Sequence, residues 1–126
     1  MRKALIIAAD AALGSALTNW LALDEFETIV AWDSFIGLRL AQDHQPDLIL
    51  CDVSMPELDG FGILDELQIN PAEKKPWIVL IGQSDDASRA FAAGANGFLF
   101  KSTALSNVLR SMQSYTCKIQ QDSEPK

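Results

Sequence analysis

Asp52 and Lys101 are the two charged residues of this sequence that follow buried strand patterns most directly. Short apolar runs, 48–51 before Asp52 and 97–100 before Lys101, are typical of strands buried on both faces. Because the carboxyl ends of parallel strands meet at one edge of a sheet, we expect the two side chains to lie close together. Their spacing leaves two interpretations open: a carboxylate nucleophile with a cation beside it, or a structural ion pair.

Alternating strand and helix patterns position these two residues. Apolar or β-branched runs predict strands over residues 4–8, 28–32, 48–52, 77–81 and 97–100. Apolar residues at helical spacing predict helices around Leu13, Leu17 and Leu21, over 34–43, over 61–69 and from Ser84 to Gly94. A last helix is predicted to begin at Ser102 or Thr103 and to carry Leu105, Val108, Leu109 and Met112. This alternation predicts an α/β fold with a doubly wound parallel sheet.

Composition limits the organisation and the partners. The 126 residues, 48% of them hydrophobic, suit one globular domain, which we place at 1–117 with a polar tail or linker start at 118–126. A net charge of −7 disfavours nucleic acid or an anionic membrane as a direct partner. Two cysteines without metal or redox spacing indicate a reducing compartment, and we expect a cytoplasmic protein.

A set of short motifs carries a family resemblance. They are Pro46 to Asp52, Met55-Pro56, Asp59-Gly60, Ala93-Gly94-Ala95 and Phe98 to Lys101. Together they resemble the receiver domain of two-component response regulators over nearly the whole chain. The resemblance implies a flavodoxin-like (βα)5 fold with five parallel strands in the order 2-1-3-4-5. It also implies that Asp52 occupies the phosphoacceptor position, that Lys101 contacts the phosphoryl group and that Phe98 is the switch aromatic.

The sequence departs from the family pattern where the family binds Mg²⁺. The acidic pair that follows the first strand falls on Ala8 and Ala9, and only the next residue, Asp10, is acidic. The metal ligands that the resemblance still implies are therefore Asp10, Asp52 and the backbone of Ser54. The family's hydroxyl after the fourth strand falls on Ile81 or Gly82, and neither residue carries one.

These departures predict a two-component receiver module that acts through protein contacts, with impaired or no Mg²⁺-dependent phosphorylation and no cofactor. With little like charge around it, Asp52 is expected to form a standing ion pair with Lys101. The alternative is a functional response regulator phosphorylated on Asp52 by a histidine kinase, with Asp10 restoring Mg²⁺ binding. An aspartyl-phosphate hydrolase would need a second aspartate where Ser54 stands, so we do not expect an enzyme.

The resemblance also implies the kind of partner. We expect a protein such as a histidine kinase or an output protein, and neither nucleic acid nor a membrane. The family's usual partner face is formed by the fourth helix, the fifth strand and the fifth helix, and it allows a homodimer. In this sequence that face would include Arg89, Asn96, Phe98 and Arg110.

Overall fold

One parallel sheet of five strands organises the chain. A computed structural model describes residues 2–69, 75–101, 106, 110–115 and 117. The strands are β1 (Arg2–Ile7), β2 (Phe26–Ala31), β3 (Leu48–Asp52), β4 (Trp77–Gly82) and β5 (Gly97–Phe100). They pair in the order β2-β1-β3-β4-β5, all parallel, which confirms the predicted fold class and strand order.

Four helices connect the strands. They are α1 (Ala11–Leu23), α2 (Ser34–His44), α3 (Gly60–Ile69) and α4 (Ala87–Ala92). Residues 106, 110–115 and 117 are also helical, and we call residues 110–115 the C-terminal segment. The other residues predicted for the last helix (Ser102, Thr103, Leu105, Val108 and Leu109) and the predicted tail lie outside the described residues. No helix in the described ranges has the length and hydropathy needed to cross a membrane.

Several element boundaries differ from the prediction, among them β1, which runs over Arg2–Ile7 rather than 4–8, and two of the differences have an identifiable cause. The second strand runs over Phe26–Ala31 rather than 28–32, because in-register pairing with β1, and not its β-branched residues, sets its ends. The predicted fourth helix begins as a single 3-10 turn at Ser84–Asp86, and α4 follows it. Asp86 Oδ2 accepts a hydrogen bond of 3.0 Å from the Gln83 N–H. The acceptor for this N–H at the start of the turn is therefore Asp86 and not Ser84.

The sheet is covered on both faces, and β3 is buried along its whole length. On one face, α1 and the C-terminal segment pack Leu13, Leu17, Leu21 and Met112 against the strands. On the other face, α2, α3 and α4 contribute Ala41, Ile63, Leu64 and Ala90. This two-sided cover leaves the carboxyl edge of the sheet as the place where polar side chains of neighbouring strands can meet.

A tyrosine fastens the C-terminal segment to the last strand of the sheet. The Tyr115 hydroxyl donates to the carbonyl oxygen of Phe98 and accepts from its N–H, both at 3.1 Å. The tyrosine ring lies directly on Gly97, where a Cβ would overlap it. The backbone of the predicted switch residue is therefore held from outside the sheet by the C-terminal segment.

Candidate functional site

Asp52 and Lys101 meet at the carboxyl edge of the sheet. Asp52 is the last residue of β3, and Lys101 directly follows β5. The distance between Lys101 Nζ and Asp52 Oδ2 is 2.8 Å. The Lys101 N–H also donates to the carbonyl oxygen of Gly82 at 2.7 Å, which holds the lysine backbone against the end of β4. The expectation that the two side chains lie together as an ion pair is confirmed.

The two partners of this ion pair differ in their access to solvent. The Asp52 side chain is 2% exposed, whereas the Lys101 side chain is 30% exposed. The second carboxylate oxygen, Asp52 Oδ1, accepts from the Ser54 N–H at 3.0 Å. Both oxygens of the buried carboxylate therefore have a donor, as burial of a charged group requires.

The loop after β3 is folded tightly back onto the end of that strand. The Gly60 N–H donates to the carbonyl oxygen of Val53 at 3.0 Å. A Cβ at Gly60 would lie 2.8 Å from Val53 Cα and 2.9 Å from the Asp52 carbonyl oxygen. Asp59 Oδ1 accepts from the Gly62 N–H at 2.8 Å and so caps α3. The loop is fixed at both of its ends, which sets the position of the Ser54 amide.

Of the three residues that directly follow β1, only Asp10 is acidic. Ala8 is fully buried, and Ala9 and Asp10 are exposed. Asp10 Oδ1 accepts from the N–H of Ala12 at 2.9 Å and from the N–H of Leu13 at 3.3 Å, so the side chain caps α1. Among the residues that the structure describes, no three His, Cys, Asp or Glu side chains are grouped to hold a metal ion.

The side of the site that faces β4 contains a glycine and a carboxylate. Ile81 pairs with Asp52 and packs into the core, so Gly82 is the residue that lies beside Phe98. A Cβ at Gly82 would lie 2.8 Å from Asp86 Oδ2 and 3.3 Å from Phe98 Cζ. The Asp86 carboxylate thus occupies the space next to the position where the family pattern places a hydroxyl.

Phe98, the predicted switch aromatic, lies inside the protein. It is 5% exposed, and its ring meets that of Phe100 edge to face, with 5.4 Å between the ring centroids. The sequence predicted that Phe98 is part of the exposed partner face, and this prediction is wrong because the side chain is buried. Asn96 has a structural role at the start of β5, because its Oδ1 accepts from the Ile78 N–H at 2.9 Å.

The capping role of Asp10 gives a direct test. Replacing Asp10 by alanine is expected to lower the free energy of unfolding by about 1 kcal/mol, because two amides of α1 lose their acceptor. Asp10→Asn is the matched control and should keep most of this stability, since asparagine is an equally good cap. Urea unfolding measures both variants. An Asp10→Ala protein as stable as the parent would show that the carboxylate does not cap α1 in solution and is available to turn towards Asp52.

Comparison with known families identifies the family of this chain. A family model described as the response regulator receiver domain matches residues 4–113. The chain belongs to this family. Receiver domains are generally signalling modules that interact with histidine kinases and output domains.

Relatives of known description agree with this family. The chain is 27% identical over 113 residues to "Regulator of RpoS" of Escherichia coli (strain K12), covering 88% of this chain and 33% of that protein. It is 31% identical over 109 residues to "Transcriptional regulatory protein PrrA" of Mycobacterium tuberculosis, covering 85% of this chain and 46% of that protein. The receiver domain thus spans between a third and a half of the length of these relatives.

Solved structures show the same fold. Chemotaxis protein CheY4 of Vibrio cholerae superposes with a TM-score of 0.77 at 24% identity, covering 90% of this chain and 98% of that one. The receiver domain of the Francisella response regulator 1452 gives a TM-score of 0.84 at 17% identity, covering 98% of this chain and all of that one.

Two residues of this site were missed in the sequence. Asp86 belongs to none of the motifs in the sequence, and its separation from Gly82 along the chain gives no sign that the two residues lie side by side. Tyr115 is the single tyrosine of the chain, and a buried tyrosine usually finds a partner for its hydroxyl. That rule would have predicted a hydrogen bond for Tyr115, but not that its partner is the backbone of Phe98.

Proposed function

We propose that this receiver domain signals through protein contacts and that Mg²⁺-dependent phosphorylation of Asp52 is impaired or absent. The observation that carries the proposal is the engagement of both Asp52 carboxylate oxygens, one by Lys101 and one by the Ser54 amide. A nucleophilic carboxylate would have to give up part of this pairing to approach a phosphoryl donor.

The residues present do not fit a Mg²⁺ site. The ion prefers near-octahedral oxygen coordination at short distances, and in proteins it usually keeps several waters beside one or two carboxylates. Alanines stand at both positions of the family's acidic pair, and the Asp10 carboxylate is held at the start of α1. Asp52 and the Ser54 carbonyl would remain as ligands, and Asp52 already pairs with Lys101.

Asp86 adds an electrostatic argument. Its Oδ2 and the ring of Phe98 both border the small space where a side chain at Gly82 would lie. A phosphoryl group needs donors and cations around its oxygens, and a carboxylate in this region repels it. The missing hydroxyl and the added carboxylate both favour signalling that is independent of a phosphoryl group.

The face formed by α4, β5 and the C-terminal segment is the proposed site for a histidine kinase or an output protein. Phe91 and Phe100 are 52% and 54% exposed on this face. Arg110 of the C-terminal segment is also exposed, whereas the Arg89 guanidinium lies 4.0 Å above the ring of Phe61 and so turns towards α3. A homodimer through the same face would bury the two phenylalanines as well. The free thiols of Cys51 and Cys117 support a cytoplasmic location.

The test is an amide NMR titration with Mg²⁺, followed by beryllofluoride as a mimic of the phosphoryl group. We expect no site-specific shifts at residues 52–54 at millimolar Mg²⁺, because too few oxygen ligands remain. Ala9→Asp is the positive control, since it restores an acid at an exposed position of the family's pair. This variant should gain Mg²⁺-dependent shifts at Asp52. Shifts in the parent protein that spread from Asp52 to Phe98 and α4 would instead establish the phosphoacceptor function.

A further inference from the structure

Three large apolar side chains are exposed within the short stretch that leaves β2 and begins α2. Trp32, Phe35 and Ile36, here called the corner patch, are 49%, 59% and 55% exposed. They lie within five consecutive residues, whereas isolated exposed apolar residues would be scattered along the chain. Clusters of this kind mark interaction sites on otherwise polar surfaces. The corner patch is separate in sequence from α4 and β5, so it is distinct from the family's usual partner face.

The backbone beneath the corner patch is held firmly in place. Asp33 Oδ1 accepts from the N–H of Phe35 at 2.8 Å and of Ile36 at 3.0 Å, and so caps α2. Ser34 is fully buried, and its hydroxyl donates to the Leu58 carbonyl oxygen at 2.7 Å. A surface that is already ordered loses little conformational entropy when a partner binds.

The ring of Trp32 packs against Gly14 of α1, where there is no side chain to displace it. A Cβ at Gly14 would lie 2.9 Å from Cζ3 of the indole ring. With Ser15, Thr18, Asn19, Val30 and Gly14, the ring lines a shallow groove of about 240 Å³. The indole therefore lies along α1 with one side open.

Two carboxyl groups stand beside these apolar side chains. The Glu57 side chain is hydrogen-bonded to Asp33, and this bond, together with repulsion from the Asp33 charge, raises the pKa of Glu57. The same bond lowers the pKa of Asp33, which is also stabilised as an anion by the amides of Phe35 and Ile36. The two carboxyl groups therefore lie close enough to interact, and a cation beside them would favour the ionised form of both.

We propose that the corner patch binds a basic amphipathic helix of a partner protein. Its apolar residues would cover Trp32, Phe35 and Ile36, and a lysine or arginine would lie on Asp33 and Glu57. Charge selects this occupant: the whole chain carries −7, and a symmetric dimer would bring a second copy of the same carboxyl pair to the interface. The inference goes beyond the proposed function, because it holds whether or not Asp52 accepts a phosphoryl group.

The probe is a synthetic amphipathic peptide of leucine and lysine, about five helical turns long, and the matched probe replaces each lysine by glutamate. Amide NMR with the full chain should show shifts confined to residues 32–36 and 57–58. Phe35→Ser should weaken binding of the leucine–lysine peptide about tenfold, as loss of a central aromatic contact does. Phe91→Ser is the control, because it removes an equally exposed phenylalanine from α4 and should leave the affinity unchanged.

A further variant tests the role of the carboxyl pair. Glu57→Gln should weaken binding of the leucine–lysine peptide, because the pair then carries one charge fewer. Equal binding of the leucine–glutamate peptide, shifts centred on Phe91 and Phe100, or an unchanged affinity of the Phe35→Ser protein would each overturn the proposal. Phe35 and Glu57 are exposed, so the fold is expected to survive both substitutions.

Discussion

Replacing Lys101 by methionine is expected to lower the free energy of unfolding by about 3 kcal/mol, the lower end of the range for breaking a buried ion pair. Methionine fills a similar volume but leaves the Asp52 carboxylate, whose side chain is 2% exposed, with the Ser54 amide as its remaining donor. The lower end applies because the Lys101 side chain is 30% exposed and water reaches that side of the pair.

Asp52→Asn is the matched variant and is expected to cost only about 1 kcal/mol, the net value of a hydrogen bond. The asparagine oxygen still accepts from the Ser54 N–H, and Lys101 extends into solvent when its partner is neutral. Guanidinium unfolding of both variants measures this asymmetry. If the two substitutions have equally small effects, then the ion pair does not persist in solution. The proposal that pairing with Lys101 hinders phosphorylation of Asp52 would then be wrong.

Replacing Gly60 by alanine is expected to destabilise the protein by about 3 kcal/mol, at the upper end of typical overpacking effects. The new methyl group would lie 2.8 Å from Val53 Cα and 2.9 Å from the Asp52 carbonyl oxygen. Both are backbone atoms at the end of β3, so the clash is relieved only by moving the loop or the strand. We expect this movement to displace the Ser54 amide from Asp52, which amide chemical shifts of residues 52–54 would report.

Gly62→Ala is the control for this prediction. A Cβ at Gly62 would overlap the side chain of Leu58, which must rotate to make room, and would lie an ordinary 3.5 Å from Asp59 Oδ1. No backbone atom is among its three nearest neighbours. Gly62 also lies within α3, where alanine is favoured over glycine by about 1 kcal/mol. Thermal or chemical unfolding should therefore separate the two variants clearly. Similar stabilities would mean that the loop after β3 is looser in solution than its contacts indicate.

The sequence was most informative where a strand is bounded by charges or turns. β3 and β5 have the predicted ends because their apolar runs stop at Asp52 and Lys101. The ends of β2 depend on its register with β1, and the start of α4 depends on the hydrogen bond between Asp86 and Gln83. Pairing with a distant strand and local competition for an amide are not visible in hydropathy or propensity.

The candidate site was predictable to the extent that topology determines it. The meeting of Asp52 and Lys101 follows from parallel strands sharing one edge, and it is confirmed at 2.8 Å. The carboxylate of Asp86 beside Gly82 was not predictable, because its position depends on how a short turn folds back over the end of β4. The strand order itself came from the family resemblance, since strand and helix alternation alone permits several orders.

The Tyr115 contact has a consequence for solubility. β5 is the outermost strand on its side of the sheet, and the sequence from Ala90 to Phe100 contains no charged residue. Outer strands of this kind are templates on which other chains can add and grow into aggregates. By occupying both the N–H and the carbonyl of Phe98, the hydroxyl of Tyr115 blocks such growth at the centre of the strand. The C-terminal segment thus protects the protein against self-association along this edge, at a position where other proteins often rely on a lysine or a proline.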